Sequence, residues 1–308
     1  MRRFLSCDWG TSNFRLRLVD ADSATIMRQI NSDDGISNTY NAWLKANLPE
    51  SERVSFYKRV LHYACSQLLD TGDRNVPIVI SGMASSSIGM MELPYSKFPL
   101  HVGVGELNVS AIESDEQFPY PILLVSGCCT DQDVMRGEET ILLGCDVKDN
   151  TEAIFIFPGT HSKHVMVRNG LAENFTTYAT GELFNLLSQK SILAKSVSPG
   201  DSEESFMKGI MDSQKENILH SIFSIRARHI LHKTSTVENY QYLSGLIIGI
   251  ELRDLKDTGS AIQIVSEEPL LHRYRLGLRG VGVRAEAVCL SANAALVKGH
   301  CEILNLIP

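Results

Sequence analysis

Residues 3–20 read RFLSCDWGTSNFRLRLVD, and this stretch decides the fold. Apolar residues lead up to Asp8, turn-forming residues fill positions 10–13, and alternation of apolar and polar side chains resumes at Phe14. This pattern predicts a β-hairpin. Its tip has the sequence Gly-Thr-Ser-Asn and follows Asp8, a carboxylate at the end of a strand. The backbone N–H groups and hydroxyls of the tip can bind a phosphate. Asp8 is also suited to hold a metal ion through water.

A second hairpin tip with the same pattern is predicted at residues 157–163, FPGTHSK. Either tip taken alone also fits an ordinary glycine-containing turn. Because one tip lies near the start of each half of the chain, we expect a duplicated, two-lobed α/β fold. This arrangement resembles the actin-like ATPase and sugar kinase superfamily, in which the two tips are the first and second phosphate motifs.

The composition narrows the class of protein. The chain has 308 residues, 44% hydrophobic and 21% charged, which is typical of globular proteins and long enough for two domains. A net charge of −7 without a basic cluster argues against nucleic-acid binding. No apolar run is long enough to span a membrane, and no signal peptide is recognisable. The seven cysteines lack C-x-x-C spacing, so we expect reduced thiols and a cytoplasmic location.

A loop rich in hydroxyls is predicted to contribute a ligand-binding wall. Residues 77–81 form a short apolar strand, and the run GMASSSIG follows at 82–89. Open α/β sheets bind ligands at the carboxyl ends of their strands. The hydroxyls of Ser85, Ser86 and Ser87 suit a polyol or a sugar acid. A loop that only connects the strand to the next element is the alternative.

The segment after the apolar strand 121–125 is richest in ionisable side chains. Residues 126–144 read SGCCTDQDVMRGEETILLG, and a helix is predicted to begin at Glu138. Carboxylates in the first turn of a helix interact favourably with the helix dipole. Helix capping alone would therefore explain one of these two glutamates. Asp131, Asp133 and Arg136 add further charges where the two lobes are expected to meet.

The remaining pattern predicts strands and helices in alternation. Glycines at 144, 245 and 249 led us to expect two closely crossing helices, with tight packing as the alternative. A metal site at His161 and His164 is not favoured, since three-residue spacing on a strand points side chains to opposite faces. Strands are expected at 153–157, 171–178 and 261–265, and helices at 50–70, 183–187 and 241–254.

Taken together, the motifs resemble the 2-dehydro-3-deoxygalactonokinase family over nearly the whole chain. The matching motifs, in order, are DWGTSNFR (8–15), SGMASSSIG (81–89), DVMRGEETILLG (133–144), FPGTHSKHV (157–165), ATGELFNLL (179–187) and LSGLIIG (243–249).

The resemblance implies ATP-dependent phosphorylation of the 6-hydroxyl of 2-dehydro-3-deoxy-D-galactonate, a step in galactonate catabolism. The enzyme class is a phosphotransferase with an alcohol acceptor, and the cofactors are ATP and Mg²⁺. The implied fold has two ribonuclease H-like lobes, residues 1–145 and 146–308, with a nucleotide-binding cleft between them. The expected partners are the small sugar acid and ATP, with no nucleic acid or membrane. The oligomeric state is left open, and a homodimer is one of the alternatives.

The resemblance also assigns roles by position. Asp8 would organise Mg²⁺, Arg15 would lie near the phosphates or the substrate, and Lys163 is a weaker candidate for neutralising charge. The residues expected to contact phosphates are Gly10, Thr11 and Ser12 in the first motif and Gly159 and Thr160 in the second.

The catalytic base and the substrate-binding arginine are also expected in 131–138. Glu138 is favoured as the base because Gly137-Glu138 occupies the place of a Gly-Asp pair in related carbohydrate kinases. Asp133 is the second choice and Asp131 the third. Arg136 is expected to bind the substrate carboxylate, since a guanidinium forms a bidentate pair with it.

One segment departs from the family pattern. Where a glycine-containing turn would contact the adenosine, residues 265–269 read VSEEP. Bulkier side chains there predict a remodelled adenine site or weaker nucleotide affinity. The alternatives to the galactonate kinase are therefore a kinase for another keto-deoxy sugar acid or polyol, and a non-catalytic sugar-acid sensor on the same fold.

Overall fold

The computed structural model describes residues 2–70, 72–215, 217–285 and 287–306. The chain divides into two compact units. The first comprises Met1–Thr151, Arg168–Asn174 and Ala292–Pro308, and the second comprises Glu152–Val167 and Phe175–Ser291. The helix predicted at 50–70 was expected to end in a turn at 71–73, and residue 71 lies outside the described residues.

The elements up to residue 143 belong to the first unit. They are β1 (Arg3–Trp9), β2 (Phe14–Asp20), β3 (Thr25–Ser32), α1 (Ile36–Ala46), α2 (Arg53–Leu68), β4 (Ile78–Gly82), β5 (Ser96–Lys97), β6 (Leu100–His101), β7 (Val109–Ile112), β8 (Ile122–Val125), β9 (Cys128–Cys129), β10 (Val134–Met135) and α3 (Glu138–Leu143).

The elements from residue 152 onward are β11 (Glu152–Phe157), β12 (Ser162–Arg168), β13 (Leu171–Tyr178), α4 (Thr180–Lys190), α5 (Glu203–Ser213), α6 (Ile218–His232), α7 (Thr236–Leu252), β14 (Ala261–Val265), α8 (Leu270–Val281), β15 (Ala287–Leu290) and α9 (Ala292–Leu304). Short 3-10 turns lie at Glu50–Glu52, Met83–Ser85, Val104–Glu106, Ile192–Lys195 and Arg253–Leu255.

The sheet of the first unit has the strand order β3-β2-β1-β4-β8-β7. β1, β2 and β3 are successive antiparallel neighbours, whereas β4 and β8 run parallel to β1. The predicted hairpin at residues 3–20 is therefore confirmed. Apolar side chains from both faces are buried, because α2 covers one face and α9 covers the other.

The sheet of the second unit repeats this order as β15-β14-β11-β12-β13. β14 and β15 run parallel to β11, and short turns join β11, β12 and β13, as antiparallel neighbours require. The first residues of β13 pair with β6 inside the first unit. Each unit thus has the three-strand meander and two parallel strands of a ribonuclease H-like fold, which confirms the predicted duplication.

The C-terminal helix differs from the prediction. The expected second lobe was 146–308, but α9 belongs to the first unit and packs on α3. Gly144 and Gly299 make this contact possible, since a Cβ on either would lie 1.8 Å and 2.1 Å from carbonyl oxygens of Ala295 and Thr140. Sequence periodicity could not reveal this return of the chain.

The predicted crossing of helices through Gly144, Gly245 and Gly249 also takes a different form. Gly144 faces α9, whereas Gly245 and Gly249 face α5 within the second unit. A Cβ at Gly245 would lie 2.0 Å from the Phe206 carbonyl oxygen. The glycines therefore serve tight packing inside each unit, which was the alternative interpretation.

Across the described residues, none of the helices combines the length and the apolar character that crossing a membrane requires. All seven cysteines are free thiols.

Candidate active site

The first tip, residues 10–13, closes the hairpin between β1 and β2. The Gly10 N–H donates to the Asn13 carbonyl at 2.9 Å, which forms the turn. Thr11 and Ser12 are exposed, and Gly10 is partly exposed. The backbone and the hydroxyls of the tip are thus accessible to an anion.

The start of α1 supports the first tip from behind. The Ile36 N–H donates to the Gly10 carbonyl at 2.9 Å. The next N–H, of Ser37, donates to the Thr11 carbonyl at 3.1 Å. A Cβ at Gly35 would lie only 2.4 Å from the Thr11 carbonyl oxygen, so glycine is required for this approach. The helix α1 was not predicted from the sequence, although glycine is an accepted residue at the N-cap position.

Asp8 lies at the carboxyl end of β1, with its side chain 29% exposed. Arg15, its partner across the ladder to β2, places Nη1 3.3 Å from Asp8 Oδ2. Among the described residues, no group of three or more His, Cys, Asp or Glu side chains forms a metal cluster. Mg²⁺ in kinases is usually held by one or two carboxylates together with substrate phosphates and waters. A single strand-end carboxylate therefore fits the ion.

Two glycines bring the first tip, the serine loop and α3 to one edge of the sheet. In the parallel pair β1 and β4, Asp8 lies beside Ser81 and Trp9 beside Gly82. Gly82 has a φ of +89°, and a Cβ there would lie 2.8 Å from the Trp9 carbonyl oxygen. Gly137 approaches Gly82 in turn, since its Cβ would lie 3.7 Å from the Gly82 Cα.

Glu138 is the first residue of α3 and is partly exposed. Gly137 precedes it with a φ of +112°, a conformation that favours glycine. The Arg136 N–H donates to Glu138 Oε2 at 3.1 Å. Glu138 thus presents a carboxylate at the helix start, beside the carboxyl end of β4.

The neighbouring Glu139 has a different environment. Its carboxylate is buried and accepts from the Gly137 N–H at 2.7 and 2.9 Å and from the Thr140 hydroxyl at 3.0 Å. Burial, and then the charge of Glu138, raise the pKa of Glu139 to about 7. Two adjacent carboxylates are thereby separated into an accessible one and a buried one that caps the helix.

Arg136 is partly exposed and held by two groups. Its Nη1 donates to the Ser85 carbonyl at 2.8 Å and to the Ser85 hydroxyl at 2.5 Å. The guanidinium carbon lies 4.4 Å from the centroid of the Tyr95 ring, a cation–π contact. In the described part of the chain, only Nη1 of this guanidinium has hydrogen-bond partners, and the planar group is oriented by Ser85 and Tyr95.

The three predicted serines have unequal positions. Ser85 is fully buried beneath Arg136, and the Ser86 hydroxyl donates to the Met83 carbonyl at 2.7 Å. Of the three, only Ser87 is exposed. Ser85 and Ser86 therefore shape the loop, whereas Ser87 is accessible to a ligand.

Two residues of α2 that were not predicted to have a role anchor the serine loop. Arg53 donates from Nε to the Gly89 carbonyl at 2.8 Å and from Nη2 to the Ser87 carbonyl. The Tyr57 hydroxyl donates to the Ile88 carbonyl at 2.6 Å. No local sequence signal connects these side chains to the loop.

The other base candidates lie in the turn between β9 and β10. Asp131 is exposed and Asp133 partly exposed. The Thr130 hydroxyl accepts from the Asp133 N–H at 2.9 Å, so the turn is locally stabilised.

The second tip, residues 158–161, closes the hairpin between β11 and β12. Gly159 is partly exposed and Thr160 is exposed. The start of α4 supports this tip, since a Cβ at Gly181 would lie 2.6 Å from the Gly159 carbonyl oxygen. The Glu182 N–H donates to the Thr160 carbonyl at 3.0 Å, and the Glu182 carboxylate lies 2.8 Å from His161 Nε2.

Lys163 is buried rather than presented at the second tip. It is 4% exposed, and its Nζ donates to the His161 carbonyl at 2.8 Å. Its charge thus lies under the tip and stabilises the turn.

A cavity of about 530 Å³ lies within the second unit. Its lining residues include Gly200, Phe206, Gln241, Pro269, His272 and Arg273. The start of α8 and the preceding turn, which departs from the family pattern, form part of its wall. The cavity is thus next to the segment expected to contact adenosine.

The acidic residues of that turn have structural partners. The Ser291 hydroxyl donates to Glu267 Oε1 at 2.6 Å, and Glu268 Oε2 accepts from the His272 N–H at 3.3 Å. Glu268 thus caps the first turn of α8, where a carboxylate is favourable against the helix dipole.

Two ribonuclease H-like units, each opening on a supported Gly-Thr tip, define a protein of the actin-like ATPase and sugar kinase fold class. A family model described as 2-keto-3-deoxy-galactonokinase matches residues 8–303. The chain belongs to this family of ATP-dependent sugar-acid kinases, which are phosphotransferases with an alcohol acceptor.

Individual relatives agree with the family. The 2-dehydro-3-deoxygalactonokinase of Escherichia coli (strain K12) is 28% identical over 296 residues, 93% of this chain and 92% of that protein. A probable 2-dehydro-3-deoxygalactonokinase of Rhizobium meliloti (strain 1021) is 28% identical over 299 residues and 92% of each chain. The crystal structure of a candidate 2-dehydro-3-deoxygalactonokinase from Sinorhizobium meliloti aligns with a TM-score of 0.82 at 26% identity, over 99% of this chain and 96% of that one.

Proposed function

We propose that this kinase transfers the γ-phosphoryl group of ATP to the 6-hydroxyl of 2-dehydro-3-deoxy-D-galactonate. The observation that carries the proposal is the meeting of Asp8, the serine loop and Glu138 at one edge of the first sheet. Phosphoryl transfer needs positioning, charge neutralisation and a group that accepts the hydroxyl proton. Asp8 would hold the neutralising Mg²⁺, the serine loop would position the substrate, and Glu138 would accept the proton.

Glu138 is the proposed base. Its carboxylate is partly exposed at the start of α3, beside the carboxyl end of β4, where the substrate hydroxyl would have to be presented. Accepting that proton contributes about 10²–10⁴-fold to the rate. Glu139 cannot take this role because it is buried and bonded to the Gly137 N–H. Asp133 and then Asp131 remain the second and third choices.

Arg136 is the proposed partner of the substrate carboxylate. Its guanidinium is oriented by Ser85 and Tyr95, while its other N–H groups have no partner within the described residues. An oriented guanidinium fork binds a carboxylate through two parallel hydrogen bonds. Ser87 is the exposed hydroxyl of the neighbouring loop and is proposed to contact the sugar acid, with Arg15 close to the phosphates.

The two tips are the proposed phosphate-binding elements. Gly10, Thr11 and Ser12 in the first unit and Gly159 and Thr160 in the second offer N–H groups and hydroxyls to the phosphates of ATP. Lys163 adds positive charge from beneath the second tip. Asp8 is the proposed protein ligand of Mg²⁺, which neutralises phosphate charge when it is bound.

The cavity of the second unit is the proposed adenosine site. Its volume of about 530 Å³ accommodates a nucleoside, and α8 and the turn at 266–269 line it. Because Glu268 caps α8, the acidic turn is compatible with a formed pocket. We therefore favour a remodelled adenine site over a lost one.

The direct test is a coupled assay of ADP release with ATP and Mg²⁺. 2-Dehydro-3-deoxy-D-galactonate is compared with its gluconate epimer, an uncharged polyol and a reaction without sugar. We expect release that depends on the galactonate compound. Preference for the epimer would change the substrate, and preference for the polyol would refute the role of Arg136. Sugar-acid binding without ADP release would favour the non-catalytic sensor.

A further inference from the structure

A buried carboxylate in α7 lies at the centre of the second unit. Glu251 is 2% exposed and occurs in a helix whose other buried side chains are mostly apolar. Burying an ionised carboxylate is costly unless it is fully hydrogen-bonded. Such a group therefore requires an explanation beyond helix packing.

Four side chains from three other elements donate to this carboxylate. Oε1 accepts from the Ser162 hydroxyl at 2.7 Å and from His164 Nε2 at 2.8 Å, both in β12. Oε2 accepts from the Tyr274 hydroxyl of α8 at 2.7 Å and from the Thr180 hydroxyl of α4. We call these four residues and Glu251 the Glu251 cluster.

The four contacts match the acceptor capacity of a carboxylate. Four lone-pair positions are available on an ionised carboxylate, and each is used here. The other ring nitrogen of His164, Nδ1, is buried without a hydrogen-bond partner among the described residues. We therefore assign an N–H to Nε2, where it donates to Glu251.

The cluster is directly connected to the second tip. Ser162 follows residues 158–161 immediately, so its bond to Glu251 fixes one end of the tip. Thr180 is the first residue of α4 and precedes Gly181, on which the backbone of Gly159 and Thr160 rests. Both sides of the tip are therefore attached to the same carboxylate.

The cluster also reaches the helix that lines the cavity. Tyr274 lies one turn after Leu270 in α8, and its fully buried hydroxyl donates to Glu251. Burial, and then the charge of Glu251, raise the pKa of Tyr274 well above its usual value, so the hydroxyl stays a donor.

We propose that Glu251 is a positioning residue that holds the second tip in its phosphate-binding geometry relative to α8. The inference rests on the proposed role of Gly159 and Thr160. Glu251 lies 71 positions after Thr180 and 89 positions after Ser162 in the sequence. No sequence motif at the tip therefore indicates this role. Glu251 does not touch the nucleotide and acts through the tip.

The experiment measures binding of a non-hydrolysable ATP analogue and of AMP by calorimetry. Thr180→Val removes one hydroxyl of the Glu251 cluster without changing side-chain volume. Thr177→Val is the matched control, because the Thr177 hydroxyl is buried and has no hydrogen-bond partner in the described residues. We expect Thr180→Val to weaken the ATP analogue about tenfold and AMP less than twofold, since hydrogen bonds to charged groups are among the stronger ones.

Glu251→Gln keeps the volume of the side chain and is expected to produce the same selective loss. If Thr180→Val does not fold, Ser162→Ala provides the same comparison. Unchanged binding of the ATP analogue, or equal loss of the analogue and AMP, would overturn the positioning role. Wild-type protein that binds the analogue without turning over sugar acid would refute the proposed function and leave this inference standing.

Discussion

The first and second tips occupy equivalent places in the two units, yet they differ in charge. Both contain Gly-Thr, and both are supported by a glycine at the start of the helix that follows the third strand, Gly35 and Gly181. The residue two positions before the glycine is Asp8 in the first tip and Phe157 in the second. The duplicated fold thus repeats the Gly-Thr turn, whereas the strand-end carboxylate occurs in one copy.

The buried polar groups that bridge distant elements also differ between the two units. In the first unit, His300 of α9 bridges Ser6 of β1 at 2.7 Å and Ser81 of β4 at 3.0 Å. Burial, and then the charge of Arg17, lower the pKa of His300 to about 3, so the imidazole is neutral. In the second unit the buried group that bridges several elements is the carboxylate of Glu251. The polar bridge is therefore an imidazole in the first unit and a carboxylate in the second.

The largest effect is expected from the base. Glu138→Gln should lower kcat by about 100- to 10,000-fold because proton acceptance is lost, while binding of an ATP analogue changes less than twofold. Steady-state kinetics and calorimetry test this. Glu238→Gln is the control from the second unit, since Glu238 is also in a first helical turn and glutamine also serves a capping box. Unchanged turnover of Glu138→Gln would transfer the role to Asp133.

The next effect concerns the carboxylate that only one tip has. Asp8→Asn should raise the Mg²⁺ concentration for half-maximal activity about 10- to 100-fold, because interactions of charged groups contribute about 1.5–3 kcal/mol. A magnesium titration of activity measures it. Asp20→Asn, at the far end of the same hairpin, should leave the requirement unchanged. If both variants titrate like wild type, Asp8 is not the metal ligand.

The supporting glycines should be equally sensitive in the two units. Gly35→Ala and Gly181→Ala should each destabilise the protein by about 1–3 kcal/mol, because their Cβ atoms would overlap tip backbone. Urea unfolding provides the measurement. Gly103→Ala and Gly259→Ala are matched controls, since their Cβ atoms would meet nothing within 4 Å. A loss in only one unit would mean that the two supports are not equivalent.

The smallest effect is a pH dependence of stability in the first unit. The folded-state pKa of His300 is about 3 and its unfolded value about 6.5, so the unfolded chain binds the extra proton. Stability from this group is present above pH 6.5 and is lost as the pH falls towards 3. We expect a loss of about 1–2 kcal/mol between pH 7 and pH 5. Unfolding at both pH values should show a smaller loss in His300→Gln, and an identical loss would exclude His300 as its origin.

Much of the fold could be predicted from the sequence. The hairpin at residues 3–20, the parallel strands and the helix at Glu138 follow from alternation, apolar runs and turn residues, which are local properties. The helix α1 was not predicted, because Ser37, Asn38 and Thr39 in its first turn are weak helix formers. Within the site, Glu138 and Arg136 were predicted beside each other, whereas the different roles of Ser85 and Ser87 depend on burial.

The sequence by itself determined the duplicated architecture, the two Gly-Thr tips and the kinase family, because short-range periodicity and motif chemistry carry that information. Only the tertiary structure decided which buried groups connect distant elements. Ser6 and His300 are 294 residues apart, and α9 returns to the first unit through Gly144 and Gly299. Glu251 gathers donors from three elements in the same way. The choice of these partners depends on packing between distant segments, which no local pattern encodes.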